Sequence, residues 1–379
     1  MSYTYFQSLS PEEQDIYVNG PLLPPPPGVV SNLVDPPNQN TLAQASCVVC
    51  LTLATIVLLL RAYSRIFVVR VIFIEDGLAL CGYILFVAFN YWVYRLVADY
   101  GIFVHEWDTP VKNLAGVLYI LHVGATIYCG AIMSLKVACL VEWARIFAPQ
   151  GGRFKLICYI VVWINVLFYT STIFASIFAC RPISAKWDKL IPGSCINTMA
   201  LDTISSIFNI VSDFAILLLP QKIIWRLQMT RKRKIGVSLV FAVGLLALSS
   251  ACSRFGMTVK YVATSDTLYA IASVALWCLA EMTCMILVFC IPAIPKAFSE
   301  DHILGRVVTS LRSWTRFTRV KSISKEGPRL AGSESEMDTF QDLGGNAYQR
   351  GVLLRQLHAQ RAQGTDSTER LQPEQGHSR

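Results

Sequence analysis

Apolar residues gather into seven long runs separated by short polar segments: Leu42–Leu60, Ile72–Tyr94, Leu114–Leu140, Leu156–Phe178, Thr203–Trp225, Ile235–Met257 and Leu268–Ile291. A helix rises 1.5 Å per residue, so about twenty residues cross the roughly 30 Å hydrocarbon core of a bilayer. The pattern predicts an all-α polytopic bundle of seven transmembrane helices, a multi-pass protein of the plasma membrane or an endomembrane. Four segments follow from it: a Pro-rich stretch over 1–41, the membrane domain over 42–298, a basic amphipathic stretch over 299–325 and a mostly disordered tail over 326–379.

Lys and Arg set the expected orientation, because basic residues of short loops stay on the cytosolic side. None precedes Arg61. Arg61, Arg65 and Arg70 follow the first run, Arg145, Arg153 and Lys155 the third, and the run Arg231, Lys232, Arg233, Lys234 the fifth, whereas the alternate loops are poorer. The amino terminus is therefore expected outside and the carboxyl terminus in the cytosol. The opening residues lack a basic start and a short apolar run, so the first span is expected to act as a signal-anchor. The stretch PLLPPPPG before it favours extended polyproline conformations and predicts a solvated stalk.

Composition agrees with a membrane solvent: 54% hydrophobic residues, 15% charged and a mean hydropathy of +0.47 are too apolar for an ordinary soluble domain. The net charge of +8 belongs to loops and tail, and without a recognition motif it points away from nucleic acid. In the tail, Leu304, Val307, Leu311 and Trp314 share a helical stripe among Arg306, Arg312, Arg316, Arg319 and Lys321. Such a basic amphipathic helix is expected to lie on the anionic lipid surface. Most of the twelve cysteines lie inside apolar runs, where cysteine acts as a small hydrophobe. Cys180 and Cys195 flank an outward loop, and a disulfide between them is expected. The CxxC of Cys47 and Cys50 lies inside the first run and is assigned to helix packing; no Cys/His spacing suggests a metal.

The first basic loop reads RAYSRIFVVRVIFIEDG and the third run enters SLKVACLVEWARIF. CRPISAKW and GSC follow the fourth, NIVSD lies in the fifth, Arg254 ends the sixth, and WCLAEM precedes CIPAIPKAF. Together these resemble the fungal rhodopsin-domain membrane proteins, the group that includes satratoxin-cluster membrane protein 4 and the membrane part of Pth-type receptors. The resemblance covers roughly 42–298. This chain departs from the family's paired aspartates and aromatic with Glu75, Asp76, Gly77 and Leu78, and from its Gly-x-Gly-x-His with Gly101 to His105. It also lacks the cysteine-rich ectodomain of the Pth-type receptors. No retinal is expected, since the last run contains no lysine for a Schiff base.

Ionisable groups within a bilayer are costly and face the bundle interior, which makes each a candidate for function. Asp213 follows Asn209 by four residues, on the same helix face. Glu281 follows Trp277 at the same spacing, and Arg254 can pair with either acid. With His122 these residues are candidates to surround a polar cavity, as proton donors or ligand anchors; the competing interpretation is an interhelical network that fixes packing. Lys136, Glu142 and Arg145 are assigned to snorkelling and local ion pairs. Glu75 and Asp76 open the second run, where they suit the helix dipole and can meet Arg65 or Arg70. Pro220 and Pro292 can kink or end their helices.

Two function classes follow. One is a receptor-like sensor of a small lipophilic ligand with a cytosolic signalling partner. The other is a membrane component of a fungal secondary-metabolite pathway, including an acid/base enzyme in which Asp213 or Glu281 acts on a lipophilic intermediate. Transport is less well supported, because neither inverted repeats nor short broken helices are evident.

Overall fold

A computed structural model describes residues 8–147, 152–224 and 231–293. Seven of its helices are long and apolar enough to cross a membrane. They are α2 (Asn40–Tyr63), α3 (Ile74–Asp99), α4 (Val111–Ile146), α5 (Gly152–Ile177), α6 (Thr198–Ile224), α7 (Arg231–Ala263) and α8 (Thr267–Cys290). The tail cluster Arg306, Arg312, Arg316, Arg319 and Lys321 lies outside the described residues, as does the rest of the chain from 294.

Helix α4, 36 residues and about 54 Å long, is the axle of the bundle. It packs against α3, α5, α6 and α8, while α7 and α8 lie side by side. The approach of α3 to α4 depends on Gly82, where an added Cβ would stand 2.8 Å from the Leu135 side chain. The core inside comprises residues such as Phe86, Ile132, Leu135, Leu279, Met282 and Ile286. Val48, Leu59, Trp163, Leu167, Val211 and Leu246 point outward and exposed, a surface suited to lipid rather than water.

At one end of the bundle lie the disulfide, the connection between α3 and α4, and the N-terminal segment. Strands β1 (Cys180–Arg181) and β2 (Ser194–Cys195) form a two-rung antiparallel hairpin, closed by the Cys180–Cys195 disulfide. The segment ahead of the first span is more ordered than a solvated stalk. Helix α1 (Pro11–Asn19) starts from a capping box in which the Ser10 hydroxyl accepts from the Glu13 N–H and the Glu13 carboxylate accepts from the Ser10 N–H at 2.8 Å. The chain then follows the α3–α4 connection. Leu22 N–H donates to Thr109 C=O and Val111 N–H to Gly20 C=O, each at 3.0 Å, and Asn32 N–H donates to Asp108 Oδ1 at 2.8 Å. Pro24 to Pro27 are exposed. Proline offers no N–H, so the flanking residues make the anchoring bonds.

Candidate functional site: a buried charge network beside a cavity

Five helices contribute to a network near the middle of the bundle. On α6, Asn209 and Asp213 share a face, and the Asn209 amide donates to Asp213 Oδ2 at 3.2 Å. Lys136 of α4 is fully buried. Its ammonium lies 2.8 Å from Asp213 Oδ1, an ion pair rather than an aligned hydrogen bond, and donates to Asn209 Oδ1 at 2.8 Å and Asn209 C=O at 3.1 Å. The Tyr169 hydroxyl of α5 donates to the same Oδ1 at 2.6 Å. Asn209 also donates to Glu281 Oε1 of α8. The other Glu281 oxygen accepts from Arg254 Nε of α7 and from the Tyr128 hydroxyl of α4, both at 3.0 Å. Arg254 in turn donates through Nη1 to Ser206 Oγ at 3.0 Å. Two cations face two anions, which is how ionised groups tolerate removal from water.

One donor of this network is open. Arg254 is 5% exposed, and its Nη2 is buried without a hydrogen-bond partner. Arg254 lines a cavity of about 140 Å³ between α3, α4, α6, α7 and α8, at the disulfide end of the bundle. Tyr128, Ser206, Asp202, Thr258 and Tyr261 give it polar points, and Phe89, Trp92, Val93, Leu96, Ile120 and Val274 give it an apolar wall. Asp213 and Lys136 lie behind the lining, and Glu281 reaches it only through Arg254 and Tyr128.

The α3–α4 connection closes this end. His105 stacks between Trp107 and Tyr269, with ring centroids 4.1 and 4.3 Å away, and its Nδ1 lies 2.5 Å from Asp266. Glu106 Oε1 accepts the N–H groups of Thr267 and Leu268 at 2.9 and 3.0 Å, capping α8. Burial pushes the Glu106 carboxyl above its ordinary range, against the downward pull of those N–H donors. A smaller cavity of about 30 Å³ under this connection shares Leu96, Leu121 and Ile271 with the larger one.

The opposite end holds a second charge cluster. Helix α2 runs into a π-helical turn, Ser64–Val69. Arg61 reaches Asp76 at 2.8 Å and Glu142 at 2.9 Å, and Arg65 reaches the same two carboxylates at 3.4 and 3.1 Å. Arg61 also donates to Phe289 C=O at 2.6 Å and lies 3.6 Å over the Phe289 ring. Arg145 binds Glu75 at 2.5 Å. Arg70 takes no part in these pairs and adopts a left-handed backbone, φ 56°.

Of the residues singled out from sequence, Asp213, Asn209, Glu281 and Arg254 come together, and Cys180 pairs with Cys195. His122 does not join them. It is half-buried beside Trp187 of the hairpin, 5.8 Å between ring centroids, because its face of α4 turns from the cavity. Trp277 lies one turn from Glu281, yet neither joins the network nor lines the cavity. Lys136 does not snorkel: on the central helix it has neighbours on every side and no route to the interface. Its signal was the Asn209–Asp213 pair, two acceptor-rich side chains that call for a cation in an apolar span. Tyr128 and Tyr169 carried no such signal. Among the described residues, no three His, Cys, Asp or Glu side chains come together as a metal site.

Comparison with known proteins agrees with this architecture. The fungal rhodopsin domain model matches residues 60–300. Fugralins biosynthesis cluster protein 2 of Gibberella zeae is 35% identical over 94% of this chain and 89% of its own length. A SAT4 family membrane protein of Emericella nidulans is 32% identical over 60% of this chain and 58% of its own. Wortmanamides biosynthesis cluster protein C of Talaromyces wortmannii is 24% identical over 45% of this chain and 46% of its own. No solved structure matches. With seven apolar helices, a match across most of the membrane domain and a relative similar along nearly its whole length, the chain belongs to the fungal rhodopsin domain family of multi-pass membrane proteins.

Proposed function

We propose that the protein is a receptor-like sensor of a small lipophilic molecule, acting beside a secondary-metabolite pathway. The observation that carries this reading is that the cavity reaches the Arg254–Glu281 pair. Through that pair a bound molecule touches a network joining α4, α6, α7 and α8. Helices α4 and α8 continue to the second cluster through Glu142 and Phe289. From Tyr128 to Glu142 is fourteen residues, about 21 Å of rigid helix. The basic loops favour a cytosolic face for the second cluster, the side on which the Arg231–Lys234 run is also expected and where a signalling partner would dock. The disulfide end, with the cavity, then faces outward.

Acid/base catalysis by Asp213 or Glu281 fits less well. A general acid must come within hydrogen-bond reach of its substrate, and neither carboxylate lines the cavity: Asp213 is paired with Lys136 behind it, and Glu281 is held by Asn209, Arg254 and Tyr128. Similarity along nearly the whole chain to a protein named for a biosynthesis cluster favours a second reading, a pathway component. Profiling of metabolites and transcripts in a deletion strain separates the two. A sensor predicts that the parent, but not the deletion strain, changes transcription when a lipophilic extract is added, while microsomes of both strains treat the extract alike. A precursor that accumulates in the deletion strain and is converted only by parental microsomes would overturn the sensor reading in favour of the pathway component.

A further inference from the structure

The cavity's chemistry narrows what can fill it. This step rests on the cavity being the ligand site and holds for a sensor or a pathway component. Arg254 lines the cavity, and its Nη2 is buried without a partner while its Nε and Nη1 are committed to Glu281 and Ser206. A guanidinium nitrogen in that position demands an acceptor. Charge decides which kind. Arg254 is matched by Glu281 and Lys136 by Asp213, and Asp202 on the wall shares the fields of Lys186 of the disulfide loop and of Arg254 itself, so no cation is left over for a further anion. A carboxylate or phosphate placed at Nη2 would be an anion without a cation of its own in an apolar site, while an ammonium group would face Arg254. A neutral carbonyl oxygen fills the donor and leaves the balance intact. The remaining wall of Phe89, Trp92, Val93 and Ile120 accepts an aromatic or alkyl body.

We infer that the site takes an uncharged lipophile whose buried end carries a carbonyl-type acceptor, bound by Arg254 Nη2, and that it discriminates against the corresponding carboxylate. Three probes of one shape test this: 2-acetylnaphthalene, 2-naphthoate and 2-ethylnaphthalene. Their binding to the full chain in lipid nanodiscs is measured by equilibrium dialysis, with empty nanodiscs subtracted. The ketone should bind about tenfold or more tighter than the hydrocarbon, the range expected of a hydrogen bond to a charged donor, and tighter than the carboxylate. In Arg254→Leu/Glu281→Gln, which removes the cation and its counter-charge together, the advantage of the ketone over the hydrocarbon should vanish. The wild-type series stands alone if that variant fails to fold. Equal binding of ketone and hydrocarbon, tighter binding of the carboxylate, or no binding of any probe would overturn the inference. The deletion-strain experiment addresses signalling instead, so either can fail while the other stands.

Discussion

The two charge clusters are built from the same residue types, each with one guanidinium nitrogen lacking a hydrogen bond, Arg65 Nε in one and Arg254 Nη2 in the other, and differ in whether that arginine lines a cavity. At the basic end, Arg61 and Arg65 both reach Asp76 and Glu142, and a backbone carbonyl and an aromatic ring cover Arg61. In the middle, Lys136, Asp213 and Glu281 are similarly enclosed, but Arg254, which lines a cavity, keeps one donor unpaired. A cluster with no space beside it fixes helices; one beside a cavity fixes helices and offers a contact. Burial of charge is common to both, so burial alone does not mark a binding site. The unfilled donor beside space does.

The largest effect expected from breaking this contrast is at Glu142. Glu142→Ala strands Arg61 and Arg65 together on Asp76, and removing one member of a buried ionic group costs about 3–5 kcal/mol. The variant should lose its monodisperse peak in detergent size-exclusion chromatography. Any Glu142→Ala protein recovered should keep the wild-type order of probe binding, since Glu142 lies at the far end from the cavity. Lys136→Met comes next. It leaves Asp213 buried without its cation, a loss in the same range reduced by the Asn209 amide that still donates to Asp213. Adding Asp213→Asn removes the orphan charge, and thermal melts of single and double variants should show most of the stability restored. Failure of that rescue would mean that Lys136 acts mainly through Asn209 and Tyr169.

The smallest expected effect tests the closure over the cavity. Glu106→Ala removes the cap of α8, worth about 1 kcal/mol, whereas Glu106→Gln keeps an acceptor and should be milder. Since burial raises the Glu106 pKa from its ordinary 4.5, folding favours its protonated form. Its contribution is full at low pH and declines as pH rises through the raised value. The melting temperature of the wild type relative to Glu106→Gln should therefore fall as pH is raised from about 4 to 7.

The seven spans were legible because a bilayer imposes one length on every crossing. Helix ends were less so: α4 runs from Val111 to Ile146 although apolar character marks only Leu114–Leu140, and α7 extends past Met257 to Ala263. Hydropathy reports where lipid is, not where backbone hydrogen bonds stop. The Asn209–Asp213 pair and Glu281 were legible from helical spacing and the penalty of charge in lipid. Glu142 as a hub and Lys136 as the partner of Asp213 were not, because those roles depend on which helices meet. Helix α1 did leave a trace, the Ser10-Pro-Glu-Glu capping box, but nine residues with none buried carry no apolar stripe to support it.

The N-terminal segment is fastened to chain that is synthesised well after it. Asn32 and Asp108 are 76 residues apart, roughly 4–15 s of translation at about 5–20 residues per second. Until then the segment has no partner, and the first two helices must leave the ribosome before its anchor exists. The segment is thus tied down only after two spans have followed it. For those seconds it stands open to modifying enzymes and proteases.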